Sequence, residues 1–234
     1  MLRNTKKRLI INDGFNPELA EGAKFTGLFE FPTIEPLKEI VIPKYLVPFS
    51  ERNKAKYPSE TFVMFYEHDD RFADVIRDPD EYIDDFARFA GIISPDNSLY
   101  RDMPLACQIC NIYRNRLIGS YYQRHGIKVI GNCRWGDDRT YSSDTLGEPV
   151  SFAGLPTDSI VSVGTYGCIQ SKRDKEQFRN GLAAMIDYLK PAAIIVYGAM
   201  PDSVFGKFKN KAKFINFKDW TSTRHRENET WGVE

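Results

Sequence analysis

Several short polar stretches hold the residues that could do chemistry, and each follows a run of apolar, β-branched residues. Glu67-His68-Asp69-Asp70-Arg71 follows 61–66, and Asp96 through Asp102 follows 91–94. Arg134-Trp135-Gly136-Asp137 follows 127–133, and Thr165-Tyr166-Gly167-Cys168 follows 159–164. Asp96 and Asp137 are the acids best placed to act as a general base. Arg134 offers a planar fork for phosphate or carboxylate, and Trp135 offers a face on which a base could stack. Ser98, Tyr100 and Arg101 flank Asp96 as substrate contacts. Thr165 and Cys168 precede a helix start, where backbone N–H groups can receive an anion and a thiol pKa can fall. Glu67 and Asp69, with Asp96 and Asp137, supply the oxygen ligands that a divalent cation such as Mg²⁺ requires. Each feature also has a plainer reading: an Asx-turn at Asp96, an Arg–Asp ion pair around Asp137, and solvated loops elsewhere.

The elements that would position these residues follow a βα rhythm. Candidate strands are 39–48, 61–66, 91–94, 127–133, 159–164, 193–197 and 213–217, and Pro43 weakens the first or places it at an edge. Long amphipathic stretches at about 79–90, 103–125 and 172–189 separate them. Asp102 is the candidate N-cap of the second, whose apolar stripe reads Ala106, Cys110, Tyr113, Leu117 and Tyr121. Ser171 and Asp174 form a capping box for the third, whose stripe is Phe178, Leu182, Met185 and Leu189. Strands alternating with helices imply an α/β fold with a mostly parallel sheet. The expected form is an incomplete or irregular (β/α) barrel, with an open doubly wound sheet as the alternative. In either, sites form at the carboxyl ends of the strands, where the polar stretches fall. Residues 1–38 read as an irregular arm, 39–218 as one α/β domain, and 219–234 as a polar tail.

Bulk composition narrows the function classes. Lys plus Arg equals Asp plus Glu at 32 each, so no global basic field draws in nucleic acid. No apolar run is long enough to span a membrane or to serve as a signal peptide, which implies a cytoplasmic protein. The four cysteines read as thiols, and Cys107-x-x-Cys110 lacks the second pair of a structural zinc site. The lysines at 207, 209, 211 and 213 read as a solvated face over buried Phe205 and Phe208. No phosphate-binding P-loop, dinucleotide fingerprint, zinc-protease or nucleophile-elbow signature is present.

Five ordered runs carry a resemblance: Gly91 to Leu105, Tyr113-Arg114-Asn115-Arg116, Gly126 to Ile130 with Arg134 to Asp137, Val163 to Cys168, and Ile195 to Gly198. Over roughly residues 40–200 the chain resembles the "domain of unknown function 4417" family, whose members occur in bacteria, phages and mobile elements. The resemblance implies that setting and supplies no activity. Members commonly carry a pair of acids after the second strand, where this chain reads His68-Asp69-Asp70. Two functional readings follow. One is an enzyme acting on a phosphate-bearing substrate, a nucleotide or nucleic acid, at the strand ends. The other is a non-catalytic protein that binds a nucleotide or a host protein there.

Overall fold

The structure is a computed structural model and describes residues 17–220 and 222. The first sixteen residues of the expected arm, and the expected tail beyond 220 apart from 222, lie outside the described residues. The remaining arm carries a one-turn helix α1 (Pro17–Ala20) and a two-residue antiparallel ladder, β1 (Phe25–Thr26) with β2 (Phe31–Pro32). It is fastened to the domain by the fully buried Phe31 and Ile34, and by Gln123, whose amide bonds both ways with the backbone of Glu35.

Seven parallel strands follow: β3 (Tyr45–Pro48), β4 (Thr61–Met64), β5 (Gly91–Ile93), β6 (Val129–Asn132), β7 (Ile160–Gly164), β8 (Ala193–Tyr197) and β9 (Phe214–Phe217). Their order in the sheet is their order in the chain. The sheet is nearly closed and barrel-shaped, flanked by helices, so the barrel expectation holds over the open sheet. Each expected strand is present. The first is shortened to its last four residues and sits at the edge of the sheet order, as Pro43 implied.

Side chains alternate across each strand. Phe62, Met64, Ile93, Ile130, Ile160, Ile195 and Ile215 pack together as one cluster. Val63, Ile92, Val129, Val161, Val163, Ile194 and Val196 join the larger cluster with the helices. This alternation is the barrel pattern of a filled interior and a helical coat.

The coat comprises α2 (Ala73–Arg77), α3 (Ile83–Ala87), α4 (Leu105–Arg124), α5 (Asp138–Tyr141), α6 (Lys172–Leu189) and α7 (Asp202–Phe205). The helix expected at 79–90 is a 3₁₀ turn, Pro79–Tyr82, running into α3. Helix α6 has the expected capping box and buries all four residues of its stripe. Helix α4 departs from expectation. Its N-cap is Pro104 rather than Asp102, and Ala106 and Cys110 are exposed. From its start through Arg116 its buried residues are Gln108, Ile112, Asn115 and Arg116, a largely polar set. The stretch 136–158 contains α5 and buries Val150 to Pro156. No helix among the described residues is long and apolar enough to cross a membrane. Phe205 and Phe208 are buried beneath the 207–213 lysines, and Lys209 pairs with Asp202.

Candidate functional site

The carboxyl ends of the strands surround a cleft with two connected lobes. The narrower lobe, of about 230 Å³, lies among Tyr100, Arg101, Arg134, Cys168 and Asp174. The wider, of about 660 Å³, lies among Tyr66, His68, Arg71, Tyr100, Tyr166 and Tyr197. Asp96 and Arg134 line both.

The floor is a buried ion pair. Arg134 Nη1 donates to Asp96 Oδ2 at 2.7 Å. Asn132 Nδ2 donates to the other oxygen, Oδ1, at 2.8 Å. Behind Asn132, Tyr66 Oη lies 3.2 Å from Asn132 Oδ1 and 2.6 Å from Ser162 Oγ. Asn132 and Ser162 occupy the inward parity of β6 and β7, so strand pleat alone aims these side chains up the barrel axis. Tyr66 stacks on Tyr197, with centroids 5.4 Å apart and planes 14° apart. Gly164 makes room for this arrangement, because a Cβ there would fall 2.4 Å from the Tyr66 ring. Burial raises the Asp96 pKa, and Arg134 and Asn132 offset only part of that rise. Burial works against the charge on Arg134, but the neighbouring Asp96 carboxylate outweighs it and holds the guanidinium protonated.

The other expected site residues divide. Ser98, Tyr100 and Cys168 stand at the cleft. Ser98 donates through Oγ, 2.9 Å, and through its backbone N to Asp69, which ties the β5 loop to the β4 loop. Arg101 is at the lip and pairs with Asp174 at 2.6 Å. Burial raises the Cys168 pKa, which runs against the activated thiol that a helix start suggested. The fully buried Cys133 is pushed up to about 12 by the same cause.

Four sets of expected site residues are engaged within the protein. Trp135 is not an open stacking face: its indole is buried between Phe178 and Phe152. Gly181 of α6 admits it, since a Cβ there would sit 2.2 Å from Trp135 Nε1. Asp137 is held by donors of the protein itself. It caps α5 through Arg139 N, pairs with the Arg139 guanidinium at 2.6 Å, and accepts from Gln108 Nε2 at 3.0 Å. Arg139 and Gln108 outweigh burial and hold its carboxyl below the ordinary range. Thr165 turns inward and donates to Ala199 O at 2.7 Å, closing the turn after β7. The four acids are not gathered into one cation cage. Glu67 accepts from Ser50 N and Oγ, Asp69 from Ser98, and Asp137 from Arg139. Among the described residues no three His, Cys, Asp or Glu side chains group to hold a metal ion.

The run Arg114-Asn115-Arg116 lies within α4. Arg116 is fully buried and donates to three backbone carbonyls: Ala153 at 2.8 Å, Asn132 at 3.0 Å and Ser151 at 2.7 Å. Burial pulls its pKa down to about 10, so it remains a cation at neutral pH. It clamps the end of β6 and the 151–153 segment, and so fixes the loop that begins with Arg134. Asn115 Oδ1 accepts from Asn97 N and Nδ2, which fixes the loop that carries Asp96. Sequence reasoning missed Tyr66, Asn132, Ser162 and the role of Arg116. A signal was present for Asn132 and Ser162, which are polar residues at the inward parity of apolar strands.

With the site described, comparisons with known proteins place the chain. The model of a family described as "Domain of unknown function (DUF4417)" matches residues 23–218. The chain belongs to this family. That span takes in all seven barrel strands and the cleft lining apart from Asp219 and Trp220. The Gene 1 protein of Mycobacterium phage L5 is 30% identical over 177 residues, covering 75% of this chain and 73% of that protein. The Gene 1 protein of Mycobacterium phage D29 is 28% identical over 177 residues, covering 75% of this chain and 62% of that protein. The chain therefore spans less than two thirds of the D29 relative. The family thus has phage members. No solved structure matches the chain.

Proposed function

We propose that the strand-end cleft receives a small phosphate-bearing substrate, with Arg134 and Arg71 as its anion contacts and Asp96 as the group that exchanges a proton. The observation that carries this reading is the buried Asp96–Arg134 pair at the floor of the cleft. A guanidinium held in place by a carboxylate is pre-organised to meet an anion. A carboxyl whose pKa burial has raised is better matched to proton transfer near neutral pH than an exposed one. Arg71 adds an exposed cation at the mouth that forms no ion pair among the described residues, whereas Arg101 is committed to Asp174. Glu67, Asp69 and Asp137 are each engaged with a protein donor, which favours binding without a divalent cation.

The test is thermal unfolding against pyrophosphate and small phosphate esters, with Mg²⁺ or with chelator. A ligand at about 100 times its Kd stabilises by about 2.7 kcal/mol, which for this size raises Tm by roughly 5–10 °C. The expected result is a shift that survives chelation and is reduced in Arg71→Gln, an exposed position whose replacement leaves the fold intact. An equal shift in Arg71→Gln, or none with any phosphate compound, would overturn the proposal. A shift without turnover would favour the non-catalytic binding reading and remove the role of Asp96.

A further inference from the structure

The wide lobe of the cleft is walled by tyrosines. Tyr66 and Tyr197 are buried and stacked on one another, while Tyr100 and Tyr166 stand 55% and 59% exposed on the loops that follow β5 and β7. Exposure of a large ring is ordinary in isolation, so the useful comparison is with the other exposed tyrosines. Tyr57 stacks on Tyr45 at 5.8 Å, and Tyr188 packs on Phe152 at 5.7 Å. Tyr100 and Tyr166 have no ring partner among the described residues, and their hydroxyls make no hydrogen bond there. Two unpartnered rings thus come from different loops to the same cleft, above the Asp96–Arg134 pair. The ring that the sequence offered for stacking, Trp135, is already used inside the coat.

We infer that this mouth recognises a flat heteroaromatic ring, a nucleobase, which stacks on Tyr100 and Tyr166. The inference rests on the phosphate reading above for the rest of the ligand, and it narrows the substrate class from phosphate esters to nucleotides. Stacking suits such a role because every base presents a π-face, so the pair would accept purines and pyrimidines alike. Tyrosine presents a large amphipathic face at low conformational cost.

The experiment is calorimetric titration of the full chain with ADP, CDP, adenosine, pyrophosphate and a single-stranded tetranucleotide. It is repeated on Tyr100→Ser, Tyr166→Ser and the conservative Tyr100→Phe. ADP and CDP should each bind at least about 10-fold more tightly than pyrophosphate, and each Ser variant should weaken them about 10-fold. Pyrophosphate binding should be unchanged in the Ser variants, and Tyr100→Phe should bind ADP as the parent does. Tetranucleotide binding tighter than that of ADP would assign the base to a nucleic-acid strand, and weaker binding would assign it to a free nucleotide. Pyrophosphate binding as tight as ADP, with both Ser variants unaffected, would overturn the inference and leave the phosphate reading standing. Tyrosine-dependent binding of adenosine without any of pyrophosphate would do the reverse.

Discussion

Helices α4 and α6 have similar lengths, 20 and 18 residues, and both bury large apolar side chains on the barrel, yet only α4 adds a buried polar set. Helix α6 presents Phe178, Leu182, Met185 and Leu189 to the coat, and its stability comes from apolar area removed from water. Helix α4 also presents Gln108, Asn115 and Arg116, whose hydrogen bonds reach Asp137, Asn97 and three carbonyls of the 132–153 segment. The difference separates scaffold from site. A helix that only covers the sheet can be greasy, whereas one that fixes the loops bearing Asp96 and Arg134 must address polar backbone.

The strongest way to break this comparison is Arg116→Met, which keeps most of the volume and removes the donors. Three buried carbonyls would lose their partner, and urea unfolding should show a loss of about 4 kcal/mol. A loss under about 1 kcal/mol would mean that α4 is held by its apolar contacts, among them Ile118, Tyr121 and Tyr122, and not by these hydrogen bonds. Next in size is Leu182→Ala on α6, expected to cost about 3 kcal/mol through transfer and cavity effects. Its ligand affinity should stay at the parent value, because Leu182 lines neither lobe of the cleft. A loss of affinity equal to that of Arg116→Met would erase the distinction between the two helices. The smallest effect, and the sharpest, is Asp137→Asn, expected to cost about 1.5 kcal/mol at neutral pH. The Asp137 carboxyl is held below its ordinary pKa by Arg139 and Gln108, so its contribution is complete above the unfolded value of about 3.9. It is lost as pH falls through the lower folded value. The stability gap between parent and variant should be flat from pH 7 to about 5 and close below about 4. A gap that persists in acid would show that Asp137 acts through shape and not through charge.

These same contrasts explain what was legible in the sequence. The strands and α6 declare themselves because their burial is apolar and periodic, and the strand-end rule then puts Asp96 and Arg134 just past β5 and β6, where the structure has them. Helix α4 hides its inner face, since Gln108 and Arg116 read as solvent-facing until their partners are known. The partners of Arg116 are carbonyls 16 to 37 residues away, which leave no mark in side-chain chemistry, and that of Gln108 is the Asp137 carboxylate 29 residues on. Trp135 misleads for a related reason. Its neighbours are polar, and the gap that receives it is made by Gly181, a residue whose contribution is an absent side chain. Asp137 misleads because Arg139, two residues on, claims it, while Arg134 reaches across to another strand.

The strand order has a consequence for how the molecule comes into being. Each strand of the barrel pairs with the one synthesised just before it, from β3 through β9. A nascent chain can therefore extend the sheet one βα unit at a time as it leaves the ribosome, with each new strand meeting a neighbour already in place. No ladder joins the first and last of these strands among the described residues. Assembly thus ends with the docking of β9 onto β8, and it needs no final long-range pairing of the kind that makes closed barrels slow to complete.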